Sequence, residues 1–271
     1  MMYKTMMVSL PGRVCDYCIS VDFDDSELYA SLTLLYGKYV ARKYHSGRQV
    51  LNILVQKFEN NSYLIRYENC SVLTRNLVST LKNIFCLSTF FCSNILALHG
   101  AAVSYNSQAY IFLSSTAGGK STLASYLTLN GFGYITDDCV LIDEETLKIV
   151  PSSTPIHLRA GGKKLLENEG FLEDSHLTLT KEINRHVYFP ENLTDAPIRI
   201  ARIYFSSFGR ENAVENISNF ELLLRIMRSP IIEYKINLDY MKKISSISQI
   251  PSYHITYSDM DFVKKCMQKE N

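Results

Sequence analysis

The chain has 271 residues, of which 46% are hydrophobic and 20% are charged, and its formal net charge at pH 7 is +1. These values are typical of a soluble globular protein, and the length allows one large domain or two small ones. A charge so close to zero provides no basic surface for nucleic acid or for an anionic membrane, so we expect neither as a partner.

The cysteines and the apolar runs bear on the compartment in which the protein works. The close pair Cys15 and Cys18 lacks the second pair or the nearby histidines that a zinc site requires. We therefore expect reduced, partly buried thiols. The most apolar run, residues 84–98, is too short and too polar to span a bilayer, and the N-terminus lacks the apolar core of a signal peptide. The sequence thus predicts a cytoplasmic protein.

Residues 1–75 are predicted to form a small lobe that is rich in β-strand. β-Branched and aromatic residues alternate with polar turns there, and residues 26–36 fit a short helix. None of these residues belongs to a recognisable catalytic motif, so the lobe is either a scaffold or a docking surface for substrate. A helical pattern follows from residue 74 to about residue 96. The predicted strands are residues 14–23, 39–45, 50–55 and 63–67, of which the last two form a hairpin.

An apolar stretch, residues 110–113, leads into a small-residue turn that ends in Gly119, Lys120 and Ser121, and a helix is predicted to follow. This layout indicates a P-loop, in which backbone N–H groups surround phosphate oxygens and the helix N-terminus faces the same anion. Lys120 can reach the β- and γ-phosphates of ATP, and the Ser121 hydroxyl can join the shell of a magnesium ion. The predicted nucleotide-binding residues are Ser115, Thr116, Ala117, Gly118, Gly119, Lys120, Ser121 and Thr122.

The match to the P-loop pattern has one departure, at Ser114. The full pattern has Gly at this position, and Ser would be strained if the backbone required positive φ. The alternative to nucleotide binding is a Gly/Ser-rich turn that carries a solvated lysine. The strand before the turn, the helix after it and the stop signal at Asn130 and Gly131 favour nucleotide binding.

Two adjacent carboxylates, Asp137 and Asp138, lie between two apolar runs directly after the predicted P-loop helix. A P-loop kinase needs an Asp that holds magnesium, and it gains from a base near the acceptor hydroxyl. Adjacent carboxylates repel each other unless a cation lies between them, so a divalent ion is their natural partner. The alternative is an ordinary acidic turn, like the one predicted at residues 143–145.

The C-terminal third carries no further motif. Residues 199–208 fit a strand, and residues 259–268 fit a closing helix. Residues 218–228 fit an amphipathic helix that is capped by Ser218. The polar stretch 163–191 is either a flap that faces the substrate or a solvated cover.

The segment around His99, the P-loop and the Asp137–Asp138 pair occur in an order and at a spacing that resemble the HPr kinase/phosphorylase-like P-loop kinases. They resemble the nucleotide-binding core of phosphoenolpyruvate carboxykinase more distantly. The resemblance implies an α/β fold whose kinase core is of this type. In this interpretation residues 1–75 are an N-terminal β-rich lobe, and residues 76–271 are the phosphotransferase core with C-terminal helices.

The resemblance also implies roles for single residues. His99 would lie beside the phosphates and the metal, and Asp138 would be the general base. Asp137 would hold magnesium together with Ser121, although the roles of the two aspartates could be exchanged. Arg159, in a Gly-rich segment, would clamp the transferring phosphate, because a guanidinium binds phosphate in a bidentate way. The alternative for Arg159 is a surface position in a loop.

Thr122 stands where close relatives of HPr kinase have Glu, and the chain lacks a clear copy of their Arg-Gly-rich signature loop. In these features it is similar to kinases from gene clusters for ribosomally made peptides, such as lasso peptide tailoring kinases. This resemblance implies an ATP- and magnesium-dependent kinase that phosphorylates a Ser or Thr hydroxyl of a peptide or small protein.

Three alternative functions stay open at this point. They are an HPr-type protein serine kinase, a kinase for a small molecule such as free serine, and a non-catalytic nucleotide-binding regulatory module. The sequence also leaves the oligomeric state open, including a homo-oligomer.

Overall fold

The computed structural model describes residues 2–9, 15–22, 24–36, 49–90, 95–114, 118–137, 139–172, 177–180, 185–227 and 238–269. Within these ranges the fold is mixed α/β and contains several sheets. None of the helices there has the length and apolar character needed to cross a membrane. The predicted strand at residues 39–45 lies outside the described residues.

The N-terminal part is a five-stranded sheet in the order β1-β2-β3-β4-β5, with two helices packed against it. β2 and β3 are parallel, and the other neighbouring pairs are antiparallel. The predicted helix at residues 26–36 and the predicted hairpin are both confirmed. The elements are β1 (Tyr3–Val8), β2 (Cys15–Asp22), α1 (Ser26–Tyr36), β3 (Gln49–Phe58), β4 (Ser62–Tyr67), β5 (Cys70–Thr74) and α2 (Leu77–Phe90).

Helix α2 packs into the core of this N-terminal sheet. Leu81 and Phe85 of α2 are buried in the same cluster as Tyr17 of β2. The Tyr17 hydroxyl donates a hydrogen bond to the backbone oxygen of Phe85 at 3.2 Å, and the two rings lie 4.4 Å apart. The apolar residues whose spacing predicted helix α2 are thus buried against the preceding strands.

The division of the chain into two parts near residue 75 stays a prediction.

The remaining strands form a nine-stranded sheet and a three-stranded sheet. The larger sheet has the order β6-β10-β11-β15-β8-β7-β9, with β17 beside β15 and β16 beside β17; the smaller has the order β12-β14-β13. The strands are β6 (Ile95–Leu98), β7 (Gly100–Tyr105), β8 (Gln108–Leu113), β9 (Gly133–Thr136), β10 (Val140–Asp143), β11 (Lys148–Val150), β12 (Ile156–Leu158), β13 (Leu177–Thr180), β14 (Arg185–Tyr188), β15 (Ile198–Phe208), β16 (Ala213–Asn216) and β17 (Ser252–Tyr257).

Five helices accompany these strands: α3 (Lys120–Leu129), α4 (Ala160–Asn168), α5 (Asn219–Met227), α6 (Leu238–Ile247) and α7 (Met260–Lys269). The predicted cap of α5 is confirmed, because Ser218 Oγ accepts a hydrogen bond from the Glu221 backbone N–H at 3.2 Å. The predicted closing helix is confirmed as α7, where Asp259 Oδ1 accepts from the Phe262 N–H at 2.8 Å. The stretch 163–191 contributes the end of α4 together with β13 and β14, and its role toward a substrate stays a prediction.

Five of the described strands of the large sheet run in the same direction: β8, β9, β10, β15 and β17. β10 is among them because β11 is antiparallel to both β10 and β15. β15 is parallel to both β8 and β17. β7 is antiparallel to β8 and to β9, so β8 and β9 are parallel to each other as well. The carboxyl ends of β8, β9, β15 and β17 therefore meet at one edge of the sheet, where α/β proteins commonly bind ligands.

The large sheet has a different buried cluster on each face. Phe112 of β8 belongs to the cluster that includes Leu123 and Leu127 of α3. The next residue along β8, Leu113, belongs to the cluster that includes Ile226 of α5 and Ile244 of α6. Successive side chains on a strand point to opposite faces, so this alternation identifies the face that α3 covers.

Candidate active site

The loop between β8 and α3 ends in a glycine whose backbone is in the left-handed region. Gly119 precedes the helix with φ 80°, a region that only Gly enters without strain. Ser114 is not among the described residues with positive φ, so the strain expected for Ser at that position does not arise. Ser115, Thr116 and Ala117 lie outside the described residues, and their role in nucleotide binding stays a prediction.

Lys120, the first residue of α3, is a buried cation. Its side chain is folded back, and Nζ donates hydrogen bonds to the Ser114 backbone oxygen at 3.1 Å and to Ser114 Oγ at 3.3 Å. The residue is only 6% exposed. A buried ammonium must be paired with hydrogen-bond acceptors, and here the P-loop supplies them. The alternative of a solvated lysine is therefore wrong.

The structure brings Ser121 and Asp137 together. Asp137 follows the last residue of β9, is 1% exposed, and accepts a hydrogen bond from Ser121 Oγ at 3.2 Å. Ser121 lies in the first turn of α3. One hydroxyl and one buried carboxylate thus meet beside Lys120, at the carboxyl edge of the sheet.

The separation of these two oxygen atoms allows both of them to bind one magnesium ion. Adjacent ligands of an octahedral magnesium ion with bonds of ~2.1 Å lie about 3.0 Å apart. The 3.2 Å separation of Ser121 Oγ and Asp137 Oδ1 is close to that value. Among the described ranges no group of three or more His, Cys, Asp or Glu could hold a metal. Magnesium is commonly held by one or two protein ligands, with phosphates and water completing its shell, so the pair is sufficient.

A network of buried hydroxyl groups supports the backbone next to Asp137. Ser152 Oγ donates to the Cys139 backbone oxygen at 2.9 Å, and Thr136 Oγ1 donates to the same oxygen at 2.8 Å. Ser153 Oγ donates to the Ile135 backbone oxygen at 3.2 Å. These hydroxyl groups were not among the residues predicted from the sequence. Their signal is the polar run from Ser152 to Thr154, which lies between two prolines and is entirely buried.

Asp138, the predicted general base, lies outside the described residues, so its role stays a prediction.

The next residue, Cys139, is disulfide-bonded, whereas Cys18 and Cys70 are thiols. The expectation of reduced thiols is therefore wrong at Cys139. A disulfide requires a second sulfur within bonding reach in space, which the spacing of cysteines along the chain does not reveal.

His99 lies at the same edge of the sheet. It directly precedes β7, whose first residue, Gly100, pairs with Leu113 at the end of β8. A Cβ atom on Gly100 would lie 2.6 Å from Leu113 Cδ2 and 2.8 Å from the Phe112 backbone oxygen. The missing side chain thus allows the backbone after His99 to approach the P-loop strand closely. His99 is half-buried there.

Arg159 lies at the N-terminus of α4, a helix that packs against the start of α3. A Cβ atom on Gly162, in the first turn of α4, would lie 2.5 Å from Thr122 Oγ1. Arg159 itself is exposed and occupies the N-cap position of α4. Neither α3 nor α4 has an acidic residue in its first turn. Both helices therefore keep the positive end of their dipole available to an anion.

Comparison with known proteins finds similarity to solved structures. No family model matches the sequence, and no curated protein matches it either. The Hpr(Ser) kinase/phosphatase from Coxiella burnetii matches with 10% sequence identity and a TM-score of 0.32. That match covers 65% of this chain and 98% of the other chain. A functional assignment for this chain therefore depends on the geometry of its own site.

Proposed function

We propose that the protein is an ATP- and magnesium-dependent kinase that transfers the γ-phosphate to a Ser or Thr hydroxyl of a peptide or small protein. A ribosomally made precursor peptide is the proposed substrate, and the cytoplasm is the proposed location. The core from residue 76 onward would be of the HPr kinase type, with the lobe of residues 1–75 beside it. The observation that carries the proposal is the Ser121–Asp137 hydrogen bond beside the buried Lys120.

The P-loop residues bind the nucleotide in this proposal. Backbone N–H groups at the start of α3 and the positive end of its dipole attract the triphosphate. Lys120 Nζ, now held by Ser114, turns to the β- and γ-phosphates when they arrive. Ser121 and Asp137 would hold magnesium, which neutralises charge on the phosphates when it is bound.

In this proposal the transfer itself uses Asp138, His99 and Arg159. The acceptor oxygen attacks the γ-phosphorus, the bond from that phosphorus to the β-phosphate oxygen breaks, and ADP leaves. Asp138 takes the proton of the acceptor hydroxyl as general base. His99 and Arg159 stabilise the negative charge on the moving phosphoryl group.

The test is a transfer assay with γ-labelled ATP, magnesium and three classes of acceptor: Ser-containing peptides, a small protein, and free serine. We expect label on the peptides, and we expect Lys120→Ala to abolish it while Lys265→Ala, a change at an exposed lysine of α7, does not. Label on free serine alone would replace the peptide substrate with a small molecule. Binding of ATP without transfer or hydrolysis would replace the kinase with a regulatory module.

A further inference from the structure

An aromatic pair lies at the carboxyl ends of β15 and β17, beside the P-loop. Phe208 and Tyr257 are register partners on these parallel strands, and their rings meet edge to face with centroids 5.8 Å apart. Phe208 ends β15 and is 71% exposed, whereas Tyr257 is almost fully buried. A large exposed aromatic ring held by a buried one is a ready contact surface for a flat ligand.

Tyr257 connects this pair to the P-loop. Its hydroxyl lies 3.6 Å from the position that a Cβ atom on Gly119 would occupy. Tyr257 also belongs to the buried cluster that contains Leu123 of α3. The pair therefore lies on the face of the sheet that α3 covers, and the side chain of Tyr257 reaches from the pair to the loop.

The backbone around the pair is held in place. The Gly209 N–H donates to the Tyr257 backbone oxygen at 2.9 Å, which joins the ends of the two strands. Asn212 Oδ1 accepts from the Ser258 N–H at 2.8 Å. A contact surface tied to rigid strands is pre-organised, and a ligand that binds to it loses less free energy to ordering.

The pair and the carboxylate occupy opposite sides of the P-loop strand. Asp137 follows β9, which is separated from β8 by β7. Phe208 and Tyr257 end β15 and β17, on the other side of β8. If the terminal phosphates of a nucleotide lie toward Asp137, Phe208 lies on the side of β8 away from them.

We propose that Phe208 is the stacking surface for the purine base of the bound nucleotide, and that Tyr257 positions its ring. This inference rests on the proposed function, because it requires a nucleotide in the P-loop. Stacking on an aromatic ring tolerates different bases, since every base has a π-face. The site therefore takes both ATP and GTP, and it binds both more tightly than the smaller-ringed pyrimidine nucleotides.

The chain offers a matched control for testing Phe208. Phe220 on α5 is also 71% exposed. It lies near the opposite edge of the sheet, since Ile217, shortly before α5, donates through its backbone N–H to Ser252 at the start of β17. Replacing Phe220 therefore removes an aromatic ring of equal exposure and leaves every residue at the P-loop edge of the sheet unchanged.

The first experiment measures binding by titration calorimetry, with magnesium and either ATP or inorganic tripolyphosphate. We expect Phe208→Ala to weaken ATP binding about tenfold or more. Tripolyphosphate has no base, so its affinity should stay unchanged in that variant. Phe220→Ala should leave the affinity for both ligands unchanged.

The second experiment uses the absence of tryptophan from the chain. Phe208→Trp introduces a single indole, and stacking of a base on it should quench its fluorescence when ATP is added but not when tripolyphosphate is added. Phe220→Trp should show no quenching with either ligand.

The outcomes separate the two proposals. ATP binding that is unaffected by Phe208→Ala, together with no quenching in Phe208→Trp, overturns the stacking role and leaves the kinase proposal intact. If the unaltered protein binds neither ATP nor tripolyphosphate, both proposals are overturned.

Discussion

The Ser121 hydroxyl donates a hydrogen bond to Asp137 Oδ1 at 3.2 Å, and this contact joins the start of α3 to the end of β9. If both oxygen atoms bind one magnesium ion, their removal should not be additive. We expect Ser121→Ala and Asp137→Asn each to raise the magnesium concentration needed for half-maximal transfer by about tenfold or more. The double variant should be little worse than the poorer single variant.

Transfer rates measured across a magnesium series provide this comparison, with Ser248→Ala as a control at a serine that follows α6 and bonds to the Ser245 backbone oxygen. Strictly additive losses in the double variant would show that the two residues act separately.

Gly100 should not tolerate a side chain. Its Cβ would lie 2.8 Å from the Phe112 backbone oxygen, and backbone of the P-loop strand cannot move aside cheaply. We expect Gly100→Ala to lower the free energy of unfolding by about 1–3 kcal/mol. Gly161 in α4 has no atom within 4 Å of the corresponding position. Gly161→Ala should therefore be neutral or stabilising by up to about 1 kcal/mol, because Ala favours helix.

Urea unfolding of both Gly→Ala variants makes this comparison. Equal stability of the two would mean that the approach of β7 to β8 at Gly100 is not tight.

Ser152 should matter for stability although it is not one of the proposed nucleotide-binding residues. Its hydroxyl is fully buried and bonds to the Cys139 backbone oxygen at 2.9 Å and to Thr136 Oγ1 at 2.9 Å. We expect Ser152→Ala to cost about 1–3 kcal/mol, because buried partners lose a hydrogen bond. It should also lower the transfer rate, since the network holds the backbone beside Asp137.

Thr33→Ala is the control for Ser152→Ala. Thr33 lies on α1, is exposed, and donates a hydrogen bond to the Tyr29 backbone oxygen. Its loss should change stability by less than about 0.5 kcal/mol. A Ser152→Ala protein as stable and as active as the unaltered one would contradict a supporting role for the network.

Ionisation of Tyr257 should make the free energy of unfolding depend on pH under alkaline conditions. Burial raises the pKa of Tyr257 from 10.0 to about 12. Between pH 10 and 12 this tyrosine ionises in the unfolded state but stays neutral in the folded state. Its contribution to the free energy of unfolding is therefore fully present below pH 10 and is lost as the pH rises toward 12. We expect the free energy of unfolding of the unaltered protein to fall more steeply over that window than that of Tyr257→Phe.

Urea titrations of both proteins between pH 8 and 12 measure the difference in slope. Tyr188, whose pKa burial likewise raises to about 12, contributes equally to both proteins and cancels in the comparison. Parallel curves would show that Tyr257 ionises in the folded state at its ordinary pKa.

Several features could be predicted from the sequence because they depend on neighbours along the chain. The helix at residues 26–36 follows from its apolar periodicity, and the hairpin of β3 and β4 follows from two alternating runs around a polar turn. The order of an apolar strand, a glycine and a helix could be predicted for the same reason, because these elements follow one another within a few residues. Gly119 with its positive φ is the local requirement that the motif encodes.

Other features depend on contacts between distant parts of the chain, and only the tertiary structure decided them. The meeting of Ser121 with Asp137 depends on β9 lying parallel to β8 with β7 between them. The aromatic pair of Phe208 and Tyr257 exists because β15 and β17 pair in one register across many residues of intervening chain. The sequence by itself thus determined the position of the strand, the glycine and the helix that form the predicted phosphate-binding motif, because these elements are neighbours along the chain. The fold decided which carboxylate and which aromatic rings lie beside that position, because strand pairing alone brings them there.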